Sequence, residues 1–297
     1  MKLVQLKSLI ALADCGSLRA AARSLDLSQP ALTYHIAALE KEFGVLLVQR
    51  SGRGSQVTGY GKTLLAHART VDREIRHARD ELRQLTDEFS GEVSLAISIA
   101  SAVGLLPEAL SEFAKKHPSV HLRIVDGLYP GVFRLLREGS IDFALGPLPP
   151  AKLHSEFTFD PLVASTLVIA CRRSHPRIKT FRTLADLASE EWVAAGEQGG
   201  PGTIVQQIFG DRGIAPPRIV VQAESIISFQ SILESCNYLG LLPAVWFKHH
   251  PESPLSVVSI RESLPTLRLG IIRVASAQQT PAAKAFIAAL RKSARHF

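Results

Sequence analysis

The chain contains few cysteines. Cys15, Cys171 and Cys236 are the three among 297 residues, and an odd, sparse set is typical of a reducing compartment rather than of a disulfide-stabilised secreted fold. A redox switch built on Cys171 or Cys236 is left open as an alternative. Both cysteines lie in apolar patterns, however, which favour small buried side chains over reactive thiols.

Long apolar runs are also missing. No stretch approaches the roughly 18 uninterrupted apolar residues that a membrane-spanning helix needs. The first residues resemble a short lipoprotein signal, but Lys7 interrupts the apolar run and Asp14 directly precedes Cys15, which argues against export. We therefore expect a cytoplasmic protein with no membrane partner.

The motifs of common enzyme classes are absent as well. The ten histidines show no metal-ligand spacing, and the chain has no Gly-x-Ser-x-Gly elbow, no P-loop and no dinucleotide-binding glycine pattern. His249 and His250 have no carboxylate at helical distance, and Asp142 fits a buried structural acid. We expect no catalysis, no metal and no cofactor.

Among the features that are present, the most informative is the run from Gly16 to Gly44, GSLRAAARSLDLSQPALTYHIAALEKEFG. It predicts two helices joined by a short polar turn. Ser28 is suited to cap the second helix, and Pro30 fits its first turn, where a missing N–H costs nothing. One face of that helix carries a core-facing apolar stripe of Leu32, Ile36, Leu39 and Phe43.

The opposite face is polar and free of acids in its N-terminal half, as a helix that reads DNA bases requires. The predicted contact residues on this helix are Ser28, Gln29, Pro30, Thr33 and Tyr34. A short hairpin should follow as a wing, with Arg50 and Arg53 on DNA phosphates or in the minor groove. Residues 1–70 hold nine Lys/Arg and four Asp/Glu, so the excess of the net +7 charge concentrates here. The alternative is a three-helix packing unit with no nucleic-acid partner.

The N-terminal block resembles the winged helix-turn-helix of LysR-type transcriptional regulators. The matching residues are Gly16-Ser17, Ala21-Ala22, Leu25, Ser28-Gln29-Pro30-Ala31, Leu39-Glu40, Gly44, Leu46-Leu47, Arg50, Thr58 and Gly61. Two positions depart from the family pattern, with Thr33 where serine is usual and Val48 where phenylalanine is usual. The first change keeps the hydroxyl, and the second should alter packing under the wing.

Residues 59–89 carry a regular apolar seam with a period of about 3.5 residues, which favours a two-helix pairing. The seam residues are Leu64, Ala68, Val71, Ile75, Ala78, Leu82 and Leu85, followed by Phe89 at the same spacing. A helix lying on its own domain is the alternative, but a wider apolar face is expected for that role. The resemblance implies a linker helix that pairs antiparallel in a dimer.

Beyond residue 90, strands and helices alternate, which predicts a mostly parallel sheet covered by helices. The predicted strands are Val93–Ile99, Val120–Val125, Asp142–Leu145, Thr166–Cys171, Trp192–Ala195, Arg218–Gln222 and Leu267–Val274. The predicted helices are Val103–His117, Gly131–Glu138, Ile204–Arg212, Ser225–Glu234 and Pro281–Ser293. Two lobes joined near 162–166 and 263–267 resemble the periplasmic-binding-protein-like effector domain of the same family. A solute-binding protein is the alternative for this part alone.

Ligands bind such sheets at the carboxyl ends of strands, between lobes. This rule selects as effector-binding candidates Ser98, Ala100, Ser101, Tyr129, Pro130, Pro147, Gly202, Thr203 and Glu224. Pro147 stands where some dicarboxylate-binding relatives have arginine. We therefore expect a small, partly apolar, neutral or singly charged effector.

These features together predict an α/β protein with an N-terminal all-α winged helix-turn-helix at 1–58 and a linker (dimerisation) helix at 59–90. A two-lobed α/β periplasmic-binding-protein-like effector domain should occupy 91–297, with lobe I at 91–163 plus 267–297 and lobe II at 164–266. The expected function is LysR-type regulation of transcription, in which the effector controls operator binding or DNA bending. The expected partners are a palindromic double-stranded operator, the small-molecule effector and a second copy, with a homotetramer favoured over an isolated homodimer. RNA polymerase is left open as a further partner.

Overall fold

The computed structural model describes residues 1–51, 54–84, 89–127, 129–148, 153–196 and 202–297. The chain forms two compact units. One comprises residues 1–88 with 137–140, and the other comprises residues 89–136 with 141–297.

The N-terminal unit begins with three helices, α1 (Leu3–Cys15), α2 (Leu18–Ser24) and α3 (Gln29–Phe43). The Ser28 hydroxyl accepts a hydrogen bond from the backbone N–H of Ala31 at 3.3 Å, and Pro30 lies in the first turn of α3. Both features confirm the predicted start of this helix. Gly44, at φ +67°, ends it in the left-handed conformation that glycine adopts without strain.

The core of this unit contains three of the four predicted stripe residues, Leu32, Ile36 and Leu39. Phe43 is 45% exposed, so its predicted burial is wrong. It is the last helical residue before Gly44, and the chain then turns so that Leu47 is buried in the same cluster.

The predicted wing is confirmed. Strands β1 (Val48–Ser51) and β2 (Gly54–Val57) pair antiparallel, with Val48 opposite Val57. The tip, which includes Arg53, lies outside the described residues, as does the side chain of Arg50.

Helix α4 (Gly59–Gln84) follows the wing. Its first turns are part of the N-terminal core, since Leu65 and Ala68 are buried there and Leu64 packs against the same cluster. The prediction that Leu64 and Ala68 face a partner helix is therefore wrong. They occupy the apolar face that α4 turns towards its own three-helix core.

The second unit is built on a mixed seven-stranded sheet. Its strands are β3 (Gly91–Ile97), β4 (Val120–Asp126), β5 (Phe143–Pro147), β6 (Phe157–Arg172), β9 (Gly240–Pro243), β10 (Leu255–Val257) and β11 (Thr266–Val274), in the order β10-β6-β11-β5-β3-β4 with β9 also paired to β6. The parallel strands β7 (Glu191–Ala195) and β8 (Arg218–Ala223) form a second small sheet.

Helices cover these sheets. They are α5 (Ile99–Gly104), α6 (Leu106–Lys116), α7 (Gly131–Arg137), α8 (Thr203–Gly210), α9 (Ile226–Ser235), α10 (Val245–His249) and α11 (Pro281–Ser293). The predicted helix Val103–His117 is in fact two helices that meet at Leu105. Pro107 lies in the first turn of α6, where proline is tolerated but cannot continue a preceding helix.

The expectation of a mostly parallel sheet is wrong. Although β3 pairs parallel with β4 and β5, the long strands β6 and β11 pair antiparallel with each other. Strand β6 begins at Phe157, well before the predicted Thr166, and it passes through Pro161, which lies at the irregularity of the ladder between Leu269 and Gly270. A proline is accommodated at such a bulge, where its missing N–H disrupts no regular pairing.

Separate apolar clusters form the core of this unit. One gathers Phe113, Phe143 and Phe286, and another gathers Trp192 and Phe209. Phe89, predicted to extend the helical seam, instead packs on the first cluster with its ring centroid 4.2 Å from that of His117.

We predict that Gly61→Ala destabilises the N-terminal unit. A Cβ at Gly61 would lie 2.1 Å from the Leu47 carbonyl oxygen, whereas a Cβ at Gly59 meets nothing within 4 Å. Overpacking of this kind costs about 1–3 kcal/mol, and it should lower the denaturation midpoint in urea. Gly59→Ala is the matched control and should leave the midpoint unchanged or slightly raised. Equal midpoints for the two variants would contradict the close approach.

Candidate nucleic-acid interface and ligand cavity

The N-terminal end of α3 presents its polar residues to solvent. Gln29 and Pro30 are exposed, and the Tyr34 side chain is 71% exposed with no core contact to hold it. The Thr33 hydroxyl donates to the Gln29 carbonyl at 2.9 Å, which leaves its oxygen free to accept. The predicted contact residues of this helix therefore share one accessible surface.

A buried hydrogen bond fixes the rotation of α3 against α1. The Ser8 hydroxyl donates to the Val4 carbonyl at 2.8 Å and lies 2.8 Å from Nδ1 of His35 on α3. A Ser8 hydroxyl that donates to Val4 can accept from the Nδ1–H tautomer of His35, so both groups of the pair are satisfied. Sequence reasoning missed this pair, since an isolated serine and histidine 27 residues apart give no pattern.

The base of the wing is fixed by Glu40. Its Oε1 accepts from the backbone N–H groups of Leu47 at 2.8 Å and Val48 at 3.1 Å. The Thr58 hydroxyl donates to the Leu46 carbonyl at 2.7 Å, on the far side of the hairpin. Charge-assisted bonds to backbone N–H groups are stronger than neutral ones, so α3 and the wing are held as one piece.

In the second unit, a cavity of about 70 Å³ opens at the carboxyl ends of the strands. We call it the apolar cavity. Its lining residues are Ser98, Ile99, Ala100, Pro147, Leu167, Val193, Ala194, Ala195, Gly202, Ile204, Val205, Leu241, Pro243, Leu267 and Leu269. Ser98 is the one polar side chain among these, and its hydroxyl donates to that of the buried Ser101 at 3.1 Å.

Four of the nine predicted effector residues line the apolar cavity: Ser98, Ala100, Pro147 and Gly202. Ser101 is fully buried behind Ser98. Thr203 is half-buried at the start of α8 and is not part of the lining, and Pro130 is exposed.

The other two predicted residues lie in different cavities. Tyr129 faces a larger cavity of about 460 Å³ that also includes Pro147, and burial raises the pKa of its hydroxyl to about 12. Glu224 is exposed and lines a cavity of about 210 Å³ together with Asp126 and Arg134. The structure therefore does not bring all nine residues to one site.

Sequence reasoning missed the walls of the apolar cavity. Leu167, Val193, Ile204, Leu241 and Leu269 are apolar residues on strands or helices. In a sequence, such residues look the same as core residues, so only the fold distinguishes them.

The remaining seam residues of α4 differ in exposure. Val71 is 40% and Leu82 63% exposed, and Ala78 is also exposed, while Ile75 is half-buried. Leu85 lies outside the described residues. These apolar side chains are exposed on a helix that otherwise carries many charged residues.

The described ranges hold neither a metal cluster nor a membrane-spanning helix. No group of three or more His, Cys, Asp or Glu that could hold a metal occurs there, and no helix there is long and apolar enough to span a bilayer. All three cysteines are free, with Cys171 buried, and burial raises the pKa of its thiol to about 11.

Two family models match the chain. Residues 3–62 match the bacterial regulatory helix-turn-helix protein model of the lysR family, and residues 86–295 match the LysR substrate binding domain. The chain belongs to the LysR family. The resemblance predicted from the helix-turn-helix residues is thereby confirmed.

Individual relatives agree with the assignment. The LysR protein is 29% identical over 294 residues to the HTH-type transcriptional regulator GbpR of Azospirillum brasilense, covering 98% of this chain and 86% of the relative. It is 26% identical over 290 residues to the HTH-type transcriptional regulator GalR of Pseudomonas putida, covering 97% and 73%. The crystal structure of CbnR, a LysR family transcriptional regulator, superposes with a TM-score of 0.71 at 24% identity over 99% of both chains, a likeness of fold.

As a LysR regulator, the protein is a DNA-binding regulator of transcription that combines a helix-turn-helix domain with a two-lobed α/β substrate-binding domain. LysR regulators bind DNA as oligomers and respond to a small-molecule effector.

We predict that Glu40→Ala in this LysR regulator loosens the wing. The backbone N–H groups of Leu47 and Val48 lose their acceptor, which costs about 1–3 kcal/mol. Chemical denaturation should show this loss of stability. The control is Glu42→Ala, which removes the same charge from the same helix but breaks only an exposed pair with the N-terminal amine. If both variants lose the same stability, Glu40 has no special role.

Proposed function

We propose that the regulator reads its operator with the N-terminal end of α3, through Gln29, Pro30, Thr33 and Tyr34. The observation that carries this proposal is the acid-free surface that these residues share, on which Gln29, Pro30 and Tyr34 are exposed and Thr33 is half-buried. Base edges in the major groove are read by hydrogen-bonding and apolar side chains at the start of such a helix. Ser28 caps the helix and lies at its phosphate-facing end.

The wing completes the contact in this proposal. Arg50 and Arg53 follow the phosphates or enter the minor groove on either side of the reading helix. The bonds from Glu40 to the base of the wing support this role, because they fix where the hairpin starts relative to α3. Phosphate contacts orient the protein but carry little sequence information.

The regulator acts, in our proposal, as a dimer formed through the exposed part of the α4 seam. Val71, Ala78 and Leu82 supply its apolar residues, Ile75 contributes its half-buried side chain and Leu85 extends it. Two α3 helices related by a two-fold axis would address a palindromic operator. Two such dimers form the tetramer that we favour, with RNA polymerase as a further partner still open.

The effector binds in the apolar cavity in this proposal. Its walls favour a small, largely apolar ligand with at most one charge, and Pro147 offers no cation for a second carboxylate. The cavity is lined by residues from both proposed lobes, 91–163 with 267–297 and 164–266. A ligand that binds one arrangement of the lobes more tightly shifts the population towards that arrangement. This shift changes the spacing of the two α3 helices in the dimer and therefore the bend of the bound DNA.

We also propose that the protein is not an enzyme and works in the cytoplasm. The relatives that match it are transcriptional regulators, and a regulator must reach the chromosome. The proposed domain limits are 1–58, 59–90 and 91–297.

Operator reading is tested with Thr33→Ala. Loss of a base contact costs about 1–3 kcal/mol, so the ratio of operator to competitor affinity should fall about fivefold or more. The measurement is a gel shift on the upstream intergenic DNA across a salt series. The affinity for competitor DNA should change little, because non-specific binding depends on phosphate contacts that the substitution leaves in place.

Thr63→Ala is the matched control for this experiment. The Thr63 hydroxyl also donates to the carbonyl four residues earlier, that of Gly59 at 3.3 Å, but on α4. The Thr63→Ala variant should keep the wild-type operator preference. An unchanged operator preference in Thr33→Ala would show that Thr33 does not contact the bases. Absence of specific operator binding by the wild type would refute the whole proposal.

Dimerisation is tested with Leu82→Asp. A carboxylate at this exposed seam position should raise the dimer dissociation constant by about tenfold or more, as sedimentation would show. Because Leu82 is 63% exposed, the fold of the protomer should not suffer. Leu82→Met keeps the position apolar and should stay dimeric. A Leu82→Asp dimer of wild-type affinity would rule out this seam.

A further inference from the structure

One face of the C-terminal helix α11 carries two cations that the function described so far does not use. Lys284, Ile287 and Arg291 are spaced three and four residues apart, which places them on the same side of the helix. Ile287 is buried and anchors this side in the core, whereas both cations are exposed. The two charges are therefore presented along one edge of a packed helix.

The sheet beside α11 adds a third cation and one carboxylate. Ile271 and Arg273 are two residues apart on β11 and so point to the same face. Asp160 on β6 is the register partner of Ile271, and it forms an ion pair with Arg291. Helix and sheet thus bring their charged residues to one place.

These residues enclose a cavity of about 100 Å³, which we call the Arg273 cavity. It is lined by Asp160, Ile271, Arg273, Gln279, Lys284, Ile287 and Arg291. It shares no lining residue with the apolar cavity. Ile271 and Ile287, 1% and 5% exposed, belong to the core cluster beneath it, so its floor is rigid.

The polar groups of the Arg273 cavity are incompletely satisfied. The side-chain amide nitrogen of Gln279 is buried and has no hydrogen-bond partner. Within the described ranges, neither Arg273 nor Lys284 forms an ion pair, while Asp160 is engaged by Arg291. A buried donor without an acceptor costs about 1–3 kcal/mol, so a ligand that supplies one gains that energy on binding.

We propose that the Arg273 cavity binds a small oxyanion, either a carboxylate or a phosphate, as a second ligand site of the regulator. Three cations against one carboxylate leave a local excess of positive charge, and the guanidinium of Arg273 matches the paired oxygens of such an anion. The Gln279 amide donates to the same ligand. The Asp160 carboxylate also lines the cavity, but its charge is offset by the ion pair with Arg291.

The test is isothermal titration calorimetry of the full chain with inorganic phosphate and, separately, with acetate, at an ionic strength held constant with sodium chloride. We expect saturable binding of at least one anion, and the anion that binds identifies the ligand class. Arg273→Gln should weaken that binding about tenfold or more, and Gln279→Leu should also weaken it.

Arg295→Gln is the matched control, because it removes the same charge from an exposed residue that follows α11 and does not line the cavity. It should bind the anion within about twofold of the wild type, the small effect expected for a distant, screened charge. Equal losses in Arg273→Gln and Arg295→Gln, or no saturation beyond the chloride baseline, would overturn the proposal. Specific DNA binding is measured on the same preparation of each variant, and it shows that the fold is intact. A variant that loses anion binding but keeps DNA binding therefore tests the anion site separately from the operator-reading proposal.

Discussion

The antiparallel pairing of β6 with β11 is the constraint on which the second unit depends. Thr166 lies opposite Thr266, and the ladder continues to Val274 opposite Phe157. These two strands carry the chain between the halves of the sheet system, and Leu167, Leu267 and Leu269 on them also line the apolar cavity. A ligand in that cavity therefore contacts the connecting strands themselves.

The N-terminal unit depends on a smaller set of contacts. Helix α3 is held to α1 through the bond between Ser8 and His35, and to the wing through Glu40. The reading surface thus gains its orientation from hydrogen bonds behind it, which leaves its exposed residues free to differ between relatives without loss of the fold.

Local rules predicted the N-terminal unit well and the second unit less completely. The Ser28 cap, the position of Pro30 and the wing depend on interactions between near neighbours, which spacing reveals. The direction of β6 and β11 depends on pairing across about 100 residues, and nothing local distinguishes a parallel from an antiparallel arrangement. The Leu64 and Ala68 error has a similar cause, because the period of an apolar seam shows which residues are buried but not by what. The cavity walls were missed because an apolar side chain at a cavity resembles one in a core.

Helix α4 starts inside the N-terminal core, where Leu65 and Ala68 are buried, and continues for 26 residues. At 1.5 Å per residue it is about 39 Å long. Because α3 packs into the same core, α3 and α4 move together as one rigid piece when the C-terminal end of α4 is held. A tilt of α4 by about 5° about its C-terminal end moves its N-terminal end by about 3 Å, close to the 3.4 Å rise of one base pair. A small tilt of α4 is therefore enough to displace α3 by about the length of one base pair.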